Sequence, residues 1–139
     1  MNVTLGFDYG RARVGVAVGN SLTGTARALP ALACPRDEGG WRKVERTVRE
    51  WQPTRFVVGW PADSTKTDLL DDIKQFSAEL EQRFSCPVFQ VDESLTSRSA
   101  AATLKDARAA GLKTRRVRPG EEDSLAAAEI VNQYLSNGV

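Results

Sequence analysis

No histidine occurs among the 139 residues, and that absence excludes more chemistry than any other feature of the chain. Ser-His-Asp and Cys-His catalysis, imidazole–zinc sites and histidine acid/base steps all fall away, which leaves carboxylates, lysine or a metal ion to carry any reaction. Cysteine is scarce as well. Cys34 and Cys86 are each followed by proline and stand too far apart for a Cys-x-x-Cys redox motif or a zinc pair, so both read as reduced, buried thiols. Long apolar runs are missing too: Val14 to Gly19 falls far short of a bilayer span, and Met1-Asn2-Val3-Thr4 carries no basic leader. These features predict a soluble, cytoplasmic protein with no membrane partner. Neither sign of charge dominates, with 19 Lys plus Arg against 18 Asp plus Glu, so bulk electrostatics nominates no partner.

Apolar residues make up 41% of the chain, enough for a single packed core, and the length suits one domain over 1–139. From Val3 to Gly10 the bulky Val3, Leu5, Phe7 and Tyr9 alternate with Thr4, Gly6, Asp8 and Gly10, the period of a strand packed mainly on one face. Arg13 to Asn20 repeats the alternation after a short link, and a third extended piece runs from about Thr25 to Ala33. Three successive strands joined by short turns predict an antiparallel meander. After Cys34-Pro35, Trp41, Val44, Val48 and Trp51 recur at helix spacing, and Pro53 closes that segment. A strand from Arg55 to Trp60, an amphipathic helix marked by Leu69, Leu70, Ile73, Phe76, Leu80 and Phe84, and a strand from Pro87 to Asp92 give the second half a βα rhythm. An alanine-rich helix over about Thr96 to Ala110 and a last helix over roughly Glu121 to Ser136 complete the expectation. Between Lys105 and Arg118, six cations face the single acid Asp106; with Gly111 inside the segment and Pro119-Gly120 at its end, part of it reads as a basic loop.

Three carboxylates stand where folding alone does not favour them. Asp8 interrupts a strand-like run, although aspartate is depleted in strands; an Asp-x-Gly turn is the plainer explanation. Glu93 follows the strand ending at Asp92, at the carboxyl end where open α/β sheets place ligands, or else is a solvated loop acid. Asp123 opens the last helix on the face shared with Ala126, Ala127, Ile130, Val131 and Tyr134, where it also suits the helix dipole. If the three converge, like charges about 4 Å apart cost on the order of 4 kcal/mol per pair at an effective dielectric near 20. A cation offsets that repulsion, and oxygen ligands without imidazole or thiolate select Mg²⁺ or Mn²⁺.

Several motifs together resemble the YqgF or RuvX group of ribonuclease-H-like proteins, relatives of the RuvC Holliday-junction resolvases. The resemblance rests on Gly6-Phe7-Asp8-Tyr9-Gly10 with Arg13-Val14-Gly15-Val16-Ala17, on Thr23-Gly24-Thr25-Ala26-Arg27, on Val57-Val58-Gly59-Trp60-Pro61, on Val91-Asp92-Glu93-Ser94-Leu95-Thr96 and on Glu122-Asp123-Ser124-Leu125-Ala126-Ala127. It implies an α/β fold with a five-stranded mixed sheet, the first three strands antiparallel and helices on both faces. It also implies metal binding by Asp8, Glu93 and Asp123, and a role in maturing the 5′ end of precursor 16S ribosomal RNA or in cutting Holliday junctions. Three places depart from the family pattern: Ser94 replaces an arginine, no glycine occurs from Ala62 to Thr67, and Glu121 and Glu122 stand where a base is common. Gly120 occupies the position of a fourth acid in RuvC.

The expected activity is hydrolysis of a phosphodiester by metal-activated water, leaving a 5′-phosphate. Arg11, Arg13, Arg27 and the basic residues Lys113, Arg115, Arg116 and Arg118 are the expected phosphate contacts. No cluster of aromatic and basic residues resembles an RNA-reading motif, so shape rather than base identity would be read. Paired cuts across a junction would call for a homodimer, for which periodicity marks no surface. Two other classes compete: a nucleic-acid-binding or ribosome-assembly factor without catalysis, and an actin-like phosphotransferase. The second needs two lobes around its nucleotide, and no Gly-x-x-x-x-Gly-Lys loop is present.

Overall fold

The computed structural model describes residues 2–61, 66–92 and 121–136, and everything below concerns these. Eight elements follow one another: β1 (Val3–Asp8), β2 (Arg13–Asn20), β3 (Thr25–Ala33), α1 (Glu38–Trp51), β4 (Arg55–Trp60), α2 (Thr67–Phe84), β5 (Val88–Asp92) and α3 (Glu121–Ser136). The strands form a single mixed sheet in the order β3-β2-β1-β4-β5. β1 and β3 both run antiparallel to β2, while β4 and β5 run parallel to β1. The meander and the βα rhythm expected from the sequence are both present; β1 stops at Asp8, two residues before Gly10. The alanine-rich helix expected over Thr96 to Ala110 lies outside the described residues.

The alternation along β1 and β2 becomes a division between two faces. Leu5, Phe7, Val14, Val16, Phe56 and Val58 point to one side, where they pack with Trp41 and Val44 of α1 and Ile73, Phe76 and Leu80 of α2. The rings of Phe7 and Phe76 meet edge to face at 5.5 Å, and Trp41 stacks on Phe76 at the same separation. The other face carries small residues. A side-chain carbon added at Gly6 would lie 2.1 Å from Val131 Cγ2, and one at Gly19 would lie 2.4 Å from Val131 Cγ1, so α3 presses directly on the sheet. Ala17 packs there with Ala127, Ala128 and Val131, and Val57 and Val91 pack with Ile130 and Tyr134.

Local signals set the helix boundaries. Asp37 caps α1, its Oδ1 accepting the Gly40 N–H at 2.9 Å, and Gln52 ends the helix in the left-handed region with φ 47°. Ser85 closes α2 in the same way at φ 55°. Cys34 and Cys86 are free and only half-buried, where burial was expected: Cys34 lies in the connection after β3 with Sγ 3.4 Å from the Tyr9 hydroxyl, and Cys86 lies between α2 and β5. Among the described residues no helix is long and apolar enough to cross a membrane.

Candidate active site

Because β1, β4 and β5 are parallel, their carboxyl ends share one edge of the sheet, where Asp8 closes β1 and Asp92 closes β5 in register with Trp60. Asp8 lies two residues after Gly6 and therefore belongs to the face covered by α3. Its partner across the antiparallel ladder is Gly15. At Gly15 a side-chain carbon would fall 2.0 Å from the backbone oxygen of Asp123. Asp8 and Asp123, 115 positions apart in sequence, thus flank the same bare glycine, one in the sheet and one in the first turn of α3.

Two further features fix Asp123. Ser124 is buried at 3% exposure, and its Oγ accepts the backbone N–H of Val16 at 3.3 Å, tying the start of α3 to the middle of β2. This bond forms where the β2–β3 register slips: Val14 pairs with Leu32 but Val16 pairs with Leu29, so Pro30 and Ala31 oppose Gly15 alone. Proline has no N–H to give the ladder, and the serine hydroxyl satisfies an amide at the irregularity. Arg13 supplies the second contact, its Nε lying 3.4 Å from Asp123 Oδ2.

The predicted phosphate contacts separate into three groups. Arg13 reaches Asp123 on the α3 face. Arg11 stands at the same sheet edge but turns to α2, with Nε 3.3 Å from Asp72 Oδ2, while Arg36 Nη2 donates to its carbonyl at 2.6 Å. Arg27 is not brought to the acids. It pairs in register with Val18 towards the opposite end of the sheet, and its guanidinium lies over Trp51 of α1 at 5.6 Å. Glu93, Lys113, Arg115, Arg116 and Arg118 lie outside the described residues, so the structure gathers two of the three predicted acids. Among the described residues no group of three His, Cys, Asp or Glu side chains is assembled to hold a metal. The two aspartates flanking Gly15 nevertheless belong to the residue type a hard cation takes, carboxylates, and the chain has no imidazole to compete.

Tyr9, next to Asp8, projects to the other face, where burial first and then its contact with the Cys34 sulfur push the phenol well above its ordinary range. It stays protonated at neutral pH and is no general base. Beside it is a cavity of about 280 Å³ lined by Tyr9, Arg36, Trp41, Asp72, Phe76 and Glu79 among others. Asp8 and Asp123 do not line it; they stand on the opposite face of the sheet.

Sequence reasoning missed Ser124, Gly15 and Pro30. Ser124 was legible in part: it precedes Ala127, Ala128 and Val131 by three, four and seven residues, a hydroxyl on an otherwise apolar stripe. The strand slip at Pro30 has no comparable local signal.

Comparison with known proteins finds relatives over nearly the whole chain. The family model RuvX, described as Holliday junction resolvase, matches residues 2–137. A protein of Pseudomonas paraeruginosa named "Putative pre-16S rRNA nuclease" is 37% identical over 139 residues, covering 98% of this chain and 93% of its own. One of the same name from Shewanella denitrificans is 38% identical, covering 99% and 96%. Among solved structures, T. thermophilus RuvC in complex with Holliday junction substrate superposes with a TM-score of 0.59 at 19% identity, covering 99% of this chain and 96% of its own. The fowlpox virus Holliday junction resolvase superposes at 0.55 with 16% identity, covering 99% of both. At these identities the two structures establish the fold, the ribonuclease-H-like arrangement of a five-stranded mixed sheet flanked by helices.

Proposed function

This chain belongs to the RuvX family, and from that premise we propose that it is a divalent-metal-dependent endonuclease that hydrolyses phosphodiester bonds in structured nucleic acid. The observation that carries the reading is the meeting of Asp8 and Asp123 across Gly15 at the edge where the three parallel strands end. Glu93 follows the last residue of β5 in the chain and is the third acid of the proposed site. Asp8, Glu93 and Asp123 would hold Mg²⁺ or Mn²⁺, which supplies the charge that activates water and stabilises a departing oxygen.

The chain's own groups provide orientation and charge. The sheet fixes Asp8, the Ser124 bond and the bare Gly15 fix Asp123, and Arg13 adds a cation for a phosphate at the same edge. Arg11, Arg27, Lys113, Arg115, Arg116 and Arg118 extend the proposed phosphate contacts, with Arg27 serving strands that reach the far end of the sheet. Shape is the selective property, because none of these contacts depends on a base edge. The names of the relatives point to precursor 16S ribosomal RNA, and the family description points to Holliday junctions. Two copies acting together would make the paired cuts of junction resolution. Two free cysteines suit a reducing compartment, and we place the protein in the cytoplasm.

A panel of single-stranded RNA, precursor 16S RNA and four-way DNA junctions, incubated with Mn²⁺, Mg²⁺ or chelator, tests this reading. Cleavage of one structured substrate, dependent on the ion and lost in Asp8→Asn, is the expected result. Binding throughout the panel without cleavage would instead establish a non-catalytic nucleic-acid-binding factor.

A further inference from the structure

We propose that Arg13 is an exchangeable counter-ion: it neutralises Asp123 while the site is without metal and turns to the substrate phosphate once metal takes the carboxylate. This inference rests on the reading of Asp8 and Asp123 as metal ligands and assigns the order in which their neighbourhood is neutralised.

Three observations carry it. The first is placement. On the α3 face of β2, Gly19, Ala17 and Gly15 lie in succession beneath the helix, and Arg13 is the next residue of that row, the first long side chain beyond the start of α3. A straight continuation of the small-residue row therefore delivers a guanidinium beside Asp123. The second is the form of the contact, which runs from Nε to a single carboxylate oxygen at 3.4 Å. A guanidinium has five donors in a fixed fork, and this pair does not use the fork bidentately, the geometry that makes arginine–carboxylate pairs strong. The third is exposure: the side chains are 49% and 39% exposed, so the pair is solvent-screened and easily exchanged.

Arg11 provides the contrast. It carries the same charge at the same sheet edge, but it is held by Asp72 of α2 and by Arg36 at its carbonyl, and neither partner belongs to the acid pair. Removing Arg11 takes a charge from the neighbourhood without releasing Asp123.

The test is Mn²⁺ titration of the wild-type protein, Arg13→Gln, Arg13→Lys and Arg11→Gln without nucleic acid, followed by electron paramagnetic resonance of the free ion. Freeing Asp123 from a screened ion pair should tighten Mn²⁺ binding by about 1.5- to 5-fold in Arg13→Gln, the span corresponding to about 0.2–1 kcal/mol. Arg11→Gln should bind as wild type, and Arg13→Lys should fall between. Arg13→Gln should cost a fluorescent four-way junction more affinity with Ca²⁺ present than in chelator, because without a cation Asp123 competes with the phosphate for the guanidinium. Unchanged or weaker Mn²⁺ binding in Arg13→Gln, equal tightening in Arg11→Gln, or a loss of junction affinity in Arg13→Gln as large in chelator as with Ca²⁺ overturns the exchange while leaving the metal site standing. A wild-type protein that binds no Mn²⁺ overturns the metal reading itself and the exchange with it.

Discussion

The two faces of the central sheet solve different problems with the same two strands. Towards α1 and α2, β1 and β2 present Leu5, Phe7, Val14 and Val16, large side chains that fill volume and interlock with aromatic rings. Towards α3 they present Gly6, Asp8, Gly15, Ala17 and Gly19, so the helix approaches until a side-chain carbon added at Gly6, Gly15 or Gly19 would overlap it. The first face supplies burial; the second trades burial for closeness and thereby brings Asp123 against the strand that faces Asp8. Stability and site geometry are therefore separable by mutation.

Substitutions on the two faces should show this separation, beginning with the largest effects. Phe7→Ala empties the centre of the aromatic cluster and should cost about 3–5 kcal/mol in denaturant unfolding, enough to depopulate a marginal domain. Asp8→Asn and Asp123→Asn should do the reverse, leaving the melting temperature within a few degrees of wild type while reducing cleavage at least about a hundredfold, the equivalent of several kcal/mol of barrier. A comparable unfolding loss in both classes would erase the distinction between the faces.

Glycine substitutions refine the comparison within the α3 face. Gly15→Ala and Gly19→Ala each place a methyl group where α3 already lies, and overpacking of this kind costs about 1–3 kcal/mol. At Gly15 the obstacle is the backbone of Asp123, which must move, whereas at Gly19 it is the ends of Val131 and Leu135, far from the acids. Similar stability losses with activity reduced tenfold or more only in Gly15→Ala are expected; equal activities would show that closeness at Gly15 does not set the site. Ser124→Ala should cost about 1–3 kcal/mol by leaving the Val16 amide buried without this acceptor, with cleavage lowered beyond the loss of folded protein.

The smallest effect concerns surface charge. Arg83 hydrogen-bonds Glu38 and so holds its carboxyl below the ordinary value of 4.5. A carboxylate whose folded pKa is depressed contributes stability above its unfolded pKa and loses it as pH falls through the folded value. The melting-temperature difference between wild type and Arg83→Gln should therefore be small at pH 7, shrink below about pH 4.5, and diminish with added salt.

Much of this division could be read in the sequence, because a strand with one bulky and one small row announces both faces at once. Val3 to Asp8 and Arg13 to Asn20 show that alternation, and Trp41, Val44, Val48 and Trp51 show the helix that covers the bulky side. Asp8 and Asp123 were legible as acids in unfavourable places. Their meeting was not, since it depends on register across β1 and β2, on the slip opposite Pro30 and on a contact with the backbone of a helix more than a hundred residues away. The place of Arg27 was hidden for a related reason: β3 is an edge strand with little hydrophobic alternation, so sequence did not reveal which end or face its arginine occupies. The half-buried cysteines likewise reflect chain turns between elements, which composition does not report.

Calorimetric titration of Mn²⁺ into the wild-type protein, Asp8→Asn, Glu93→Gln and Asp123→Asn tests the joint action of the three acids most directly. Saturable binding by the wild type, weakened at least about tenfold by each substitution without loss of fold, is the expected result; a tenfold change corresponds to about 1.4 kcal/mol. Substituted proteins that titrate like the wild type would contradict a shared cation site at this edge of the sheet.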